Sequence, residues 1–353
     1  MRGVAGNQRR VRRRSRTAFE RTLGAYRNRT TRALLSVIPR GGPPHLYGLL
    51  RDYPKRGGKG LRAALALATC KALGGRERDA LNSAVAIELF HNGFLIHDDL
   101  QDDSFLRRGA PTMHRRVGPA GAVNVGNATN LLGLSCVIDN ARFLGSKTCE
   151  LIAEETERMM RHSLEGQAIE LAWIRDNVCN LRPRDYLHMC LKKTSWYSFI
   201  YPMRVGAIVA QGEQAAERFC QLGWYVGAAF QIQDDVLNLT GDYQQYRKEI
   251  GGDLREGKRT LMLIRLLRVC THEERRALES YLATPRKART RSDLIWVRQL
   301  MDRYDAIEFA RRAARQLAGA ALIEALVTFR AVPDSGAKQF IFDLVSYVVN
   351  RTR

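Results

Sequence analysis

Apolar positions recur along this 353-residue chain with the three-and-four spacing of helix faces, and sustained strand-like alternation is missing. Leu46, Leu49 and Leu50 show that spacing first. A basic, glycine-rich loop, YPKRGGKG, then covers Tyr53–Gly60. Apolar residues resume over Leu61–Leu73, and Gly74-Gly75 stops that helix. Ala80–Asp103 is predicted as a long helix, apolar on every side until its aspartates, which places it in the middle of the protein. Further helices are predicted over Gly121–Phe143, Cys149–Arg175, Pro183–Trp196, Pro202–Gln211, Ala215–Leu239, Leu261–Val269, His272–Leu282, Ser292–Leu317 and Ala337–Val348. The expected fold class is all-α: a single large helical domain over residues 17–353, preceded by a basic, disordered tail over residues 1–16.

Composition supports a packed core, with 45% hydrophobic residues. The net charge of +21 raises the question of a nucleic-acid partner. Its distribution argues against a specific one, because MRGVAGNQRRVRRRSR concentrates arginine without any acid in the tail. That tail reads as a solvated extension, with contact to a polyanion or anionic lipid as the alternative. Phosphorylated small-molecule substrates account equally well for the remaining excess. Seven cysteines are scattered without a C-x-x-C pair, which excludes a zinc ribbon or disulfide framework and points to a cytoplasmic setting. No uncharged apolar run reaches the roughly 18 residues of a transmembrane helix.

The chemistry is concentrated in FLIHDDLQDDSFLRRG, Phe94–Gly109. At about 100° per residue, Asp98 and Asp102 share one helix face, about 40° apart. Ionised carboxylates at the end of an apolar helix oppose its dipole and need a counter-cation. FQIQDDVLN, Phe230–Asn238, repeats the design: an apolar helix ends in Asp234-Asp235, and Gln231 joins the face of Asp234. Two such ends facing each other suit a hard divalent ion such as Mg²⁺, which binds a few carboxylates and keeps water and phosphate in its shell. Basic residues stand nearby in sequence motifs: Lys59 and Arg62 in GGKGLR, Arg107-Arg108 in LRRG, Lys192-Lys193 in KKTSW, then Lys248 and Lys258-Arg259. Beside metal-binding helix ends they read as clamps for diphosphates.

This ordered set resembles the trans, head-to-tail isoprenyl diphosphate synthases. DDLQD with RRG matches the first aspartate-rich motif of that family, and FQIQDDVLN the second except at its last position. GGKGLR, the histidine of ELFHNG, KKTSW, GQAIE and GGDLREGKRT follow in the family's order, from about Leu46 to Leu263. The resemblance implies the isoprenoid synthase fold, with helices around a central substrate cavity. It implies condensation of an allylic diphosphate (dimethylallyl, geranyl or farnesyl) with isopentenyl diphosphate, using magnesium, three ions with substrate bound. Asp98, Asp102 and Asp234 are then metal ligands. Arg107, Lys193, Lys248 and Lys258 are partners of the leaving diphosphate, and Lys59, Arg62, His91 and Arg108 hold isopentenyl diphosphate. Thr194 and Gln231 face the transient cation.

The same resemblance makes Phe90, Gly93 and Phe94 the floor of the chain pocket, one helical turn of about 5.4 Å matching one isoprene unit. A C20 product, geranylgeranyl diphosphate, is expected, with C15 and longer products as alternatives. A terpene cyclase and a non-catalytic partner subunit are the remaining readings. The family implies a homodimer. Glu170 stands where the family has Asp and is expected to reach metal-bound water. Asn238 replaces the last Asp of the second motif and is left out of the metal set, and Asp103 has no assigned role.

Overall fold

The computed structural model describes residues 2–241 and 251–350, with side chains from Ala18 to Val348. Helix α1 (Arg2–Val37) leads into two short helices, α2 (Pro44–Leu50) and α3 (Asp52–Lys55), and then α4 (Leu61–Ala72) and α5 (Leu81–Gln101). The basic segment, expected as a disordered tail, is continuous with α1 and helical from Arg2. A two-stranded ribbon, β1 (Leu106–Arg107) and β2 (Ala110–Pro111), separates α5 from α6 (Met113–Asp139). After α7 (Ala141–Leu144) come α8 (Ser146–Arg175), α9 (Pro183–Cys190), a π-helical segment (Leu191–Ile200), α10 (Tyr201–Gln211), α11 (Glu213–Ala216) and α12 (Phe219–Thr240). The remaining helices are α13 (Gly252–Glu256), α14 (Leu261–Val269), α15 (His272–Ala283), α16 (Arg291–Arg303), α17 (Ala306–Thr328) and α18 (Gly336–Asn350).

Three elements depart from the helical periodicity. The expected helix Ser292–Leu317 is broken after Arg303, where Asp305 takes a left-handed φ of 53°. Asp tolerates that conformation better than most residues, and apolar spacing does not reveal it. The expected helix Pro183–Trp196 switches to π geometry from Leu191. The β1–β2 ribbon is too short to leave an alternating pattern. Elsewhere local chemistry fixes the ends: Thr271 and Thr290 each cap a helix reciprocally with Glu274 and Asp293.

Helix α12 ties two hydrophobic cores together. Its Phe219, Leu222 and Val226 pack in one with α1, α4, α5 and α10, while Ile232, Val236 and Leu239 pack in the other with α14–α17. Small residues bring α5 and α6 close. A Cβ built on Gly93 would lie 2.2 Å from Asn130 Oδ1, and one on Gly133 would lie 2.7 Å from Phe90. The consequence is functional: α5 and α12 are both held centrally, and both release their aspartates at one end of the bundle. Among the described residues no helix is long and apolar enough to cross a membrane.

Candidate active site

The C-terminal ends of α5 and α12 open onto one cavity of about 270 Å³, which Asp98, Asp102, Asp234 and Asp235 all line. Each pair divides its labour. Asp99 is fully buried, accepts from Tyr53 Oη at 2.7 Å and from Arg107 Nε at 2.8 Å, and is also bound by Arg107 Nη2. Asp235 is buried on α12 and accepts from Tyr186 Oη at 2.7 Å and from Gln231 Nε2 at 2.7 Å. The second aspartate of each pair thus anchors its helix end, Asp99 away from the cavity and Asp235 while still lining it beside Asp98, Asp102 and Asp234. Helical spacing sets Asp99 off the face shared by Asp98 and Asp102 and suggests no role for it. Its partners come from β1, where Arg107 follows eight residues later in the same motif, and from α3, where Tyr53 is too far along the chain to be read from the motif.

Lysines from the opposite side meet the carboxylates. Lys193 Nζ lies 3.5 Å from Asp98 Oδ1 and closely contacts Glu170. Lys258 Nζ bridges Asp102 at 2.5 Å and Glu256 at 3.0 Å. Burial pushes the Asp102 carboxyl up to about 7, with Lys258 opposing and Asp98 adding to the rise. For Lys193, burial works against the charge, but Glu170 and Asp98 outweigh it and keep the ammonium protonated. Lys193 and Thr194 both sit on the π-helical segment, a geometry frequent at functional sites. Thr194 Oγ1 donates to Gln231 Oε1 at 2.7 Å while the Gln231 amide nitrogen is committed to Asp235. The Gln231 carbonyl oxygen is thereby turned toward Thr194.

A second basic group lines the same cavity. Arg62 donates to Ser198 Oγ at 2.8 Å and lies over the Tyr197 ring at 4.6 Å. His91 stacks on Tyr197 at 6.2 Å, and Arg108 donates to the Tyr53 carbonyl at 2.8 Å. Arg62, His91 and Arg108 all line the cavity, as do Arg107, Lys193 and Lys258. Lys59 does not. Its ammonium lies 5.5 Å over the Tyr347 ring of α18. Lys248 lies outside the described residues.

A family model for polyprenyl synthetase matches residues 43–300. The chain belongs to that family. It is 28% identical over 277 residues to a geranylgeranyl diphosphate synthase of Sulfolobus acidocaldarius, covering 78% of this chain and 82% of the relative. A crystal structure of a Pyrococcus horikoshii geranylgeranyl pyrophosphate synthetase superposes with a TM-score of 0.83 at 28% identity, covering 95% of this chain and 99% of that one. A Caulobacter crescentus polyprenyl synthase complexed with calcium and isoprenyl diphosphate superposes with a TM-score of 0.84 at 25% identity, over 96% and 98% of the two chains.

The residues present fit a divalent metal of the kind the family uses. Asp98, Asp102, Asp234 and Asp235 line the cavity at the two helix ends, and the burial of Asp102 makes a counter-cation electrostatically favourable. Among the described residues no three acidic, imidazole or thiol groups converge tightly enough to enclose an ion.

Three motif residues stand in surroundings that their spacing does not suggest. Glu170 is bound to Lys193. Asn238, where the family's last aspartate stands, is buried and accepts from the Asp253 backbone N–H at 3.1 Å, which fixes the start of α13 and brings the Asp253 side chain to the cavity wall. Asp103 pairs with Arg115 at 2.6 Å, and Arg115 in turn covers Phe105 at the cavity rim. Of the chain-length residues, Phe90 packs against Gly133, Gly93 against Asn130, and Phe94 meets the Tyr197 ring edge-on at 5.4 Å. The apolar lining at that end is Leu95, Tyr197 and Phe230.

Proposed function

We propose that this protein joins an allylic diphosphate to isopentenyl diphosphate, with geranylgeranyl diphosphate as its main product. The observation that carries this reading is that two basic groups line one cavity: Arg107, Lys193 and Lys258, which contact its aspartates, and Arg62, His91 and Arg108. A cyclase acting on a single diphosphate has no use for the group formed by Arg62, His91 and Arg108.

Asp98, Asp102 and Asp234 are the residues that would hold magnesium, three ions in the loaded site, and bound magnesium neutralises the growing charge of the leaving diphosphate. Lys193 and Lys258 are poised to bind the same diphosphate. Each lysine can exchange its present carboxylate partner for a diphosphate oxygen, which would leave Asp98 and Asp102 to hold the metal. Arg107 is held against Asp99 and lies 3.7 Å from Asp98, so its guanidinium steers the leaving group from a fixed position. Lys248 is assigned to the same diphosphate by resemblance. Thr194 and Gln231, tied to each other by a hydrogen bond, are assigned by resemblance to the allylic carbon, where preorganised dipoles stabilise developing positive charge. Arg62, His91 and Arg108 orient isopentenyl diphosphate so that its double bond faces that carbon, and Lys59 joins them by leaving Tyr347. The departing diphosphate is the base for the final proton.

The enzyme is assigned to the cytoplasm and to a homodimer. Leu131 and Ile138 on α6 are 63% and 60% exposed, and Val123 and Leu134 extend the same stripe. A second copy of α6 is the occupant that suits such a self-complementary helix face. Labelled isopentenyl diphosphate supplied with magnesium and each allylic primer in turn tests the reading. Labelled C20 diphosphate is the expected product. No incorporation with dimethylallyl, geranyl or farnesyl diphosphate overturns it.

A further inference from the structure

We infer that Glu88 is a positioning residue for the second substrate, a carboxylate that sets Arg62, His91 and Arg108 from behind without touching the diphosphate. The inference rests on the assignment of those three residues to isopentenyl diphosphate. Glu88 sits on α5 one turn before His91, with its side chain 14% exposed. Its Oε2 lies 3.5 Å from His91 Nδ1. Its Oε1 accepts at 3.3 Å from the backbone N–H of Ala63, the residue after Arg62. Glu88 is absent from the lining of the main cavity and instead borders a small space behind it, shared with Arg108 and with Gly57 and Gly58 of the glycine loop. Arg108 fills the room over Gly58 so closely that a Cβ there would lie 2.9 Å from its Nη2.

Two guanidiniums gathered in a part-buried site repel each other and lose hydration. Burial, with Arg107 and Arg62 adding to it, brings Arg108 down to about 10. Burial alone would raise the Glu88 carboxyl, yet His91, Arg62 and Arg108 together draw it down to about 2, so the group is ionised at neutral pH. A buried counter-charge of this kind holds flexible cationic side chains in one arrangement before an anion arrives. None of the basic motifs points to it, because a lone glutamate on an apolar helix has no spacing signature.

Two roles for this carboxylate predict opposite signs. As a bare negative charge it repels the incoming diphosphate, and neutralising it tightens binding. As a positioning group it preorganises the site, and neutralising it weakens binding. The full-length enzyme carrying Glu88→Gln is compared with wild type by steady-state kinetics, each substrate varied in turn. The expected result is a rise of about tenfold in KM for isopentenyl diphosphate, with KM for farnesyl diphosphate changed less than about twofold. An unchanged or lowered KM for isopentenyl diphosphate overturns the inference. Arg62→Ala and Arg108→Ala are measured alongside. If neither raises that KM, the assignment of the second substrate's site fails and takes the inference with it. Glu88→Asp keeps the charge one methylene further back and is expected to raise the same KM by about threefold. It decides the matter should circular dichroism find Glu88→Gln unfolded: a rise supports positioning, and no rise overturns it.

Discussion

Tyr186 donates its phenol hydrogen to Asp235 Oδ2 at 2.7 Å, and the same relation recurs between Tyr53 and Asp99 on the other side of the cavity. Burial pushes the Asp235 carboxyl up to about 7, while the Tyr186 and Gln231 hydrogen bonds oppose that rise. Removing the phenol oxygen leaves a buried acceptor short of a donor. Tyr186→Phe is therefore expected to cost about 1–3 kcal/mol of stability in urea unfolding. It should also lower kcat, because Gln231 shares the same aspartate. A variant as stable as wild type would mean that the phenol anchors nothing.

The cavity-lining aspartates and Asp103 at the rim should separate cleanly. Asp98→Ala and Asp234→Ala remove cavity carboxylates and are expected to lower kcat on the order of 10²–10³-fold, with the fold intact by circular dichroism. Asp103 pairs with Arg115 and His114 at the rim, so kcat of Asp103→Asn should stay within about threefold of wild type. Chelation of divalent ions should abolish turnover, and magnesium should restore it. A large loss in Asp103→Asn alone would reverse the assignment of the motif.

The cavity-facing half of this site is legible in the sequence because helical periodicity alone puts Asp98 and Asp102 on one face and repeats the device at Asp234. The anchoring half is not. Asp99 finds Tyr53, and Asp235 finds Tyr186, through tertiary contacts that no local spacing encodes. The π geometry under Lys193 and Thr194 is hidden as well, since Leu191–Ile200 is largely buried and has no single apolar face whose register could reveal it. Long apolar helices such as α5 and α12 match their predicted spans to within a few residues. The break at Asp305 and the β1–β2 ribbon escape because each depends on one or two backbone conformations. Gly93 suggests open space in a pocket floor, whereas it makes room for Asn130.

Acid should destabilise the apo enzyme through the buried His91–Glu88 pair. Burial and the nearby Arg62 lower His91 from its ordinary 6.5 to about 3. The unfolded chain takes up this proton near pH 6.5 and the folded chain does not. Stability from keeping the ring neutral is thus present above pH 6.5 and lost progressively as pH falls toward 3. Glu88 adds a second loss below about pH 4.5, where the unfolded carboxyl protonates first. Thermal unfolding between pH 7.5 and 5 is expected to show a steeper fall in Tm for wild type than for His91→Gln. Parallel curves would exclude His91 as the source.

Product length gives the sharpest test of where the chain pocket ends. Gly93→Phe is not a clean probe, since even a Cβ at that position would sit 2.2 Å from Asn130 Oδ1. Gly93→Ala is expected to cost about 1–3 kcal/mol of stability by overpacking the α5–α6 contact, and Asn130→Ala should recover part of it. Phe94 is the better lever, because its ring backs Tyr197, which lines the cavity directly. Removing that ring is expected to let Tyr197 recede and to lengthen the apolar end of the cavity, and roughly one helical turn, about 5.4 Å, would admit one more isoprene unit. Phe94→Ala should accordingly shift the product from C20 toward C25, read by chromatography of the dephosphorylated alcohols. An unchanged C20 product would place the floor elsewhere, with Phe230 the next wall residue to truncate.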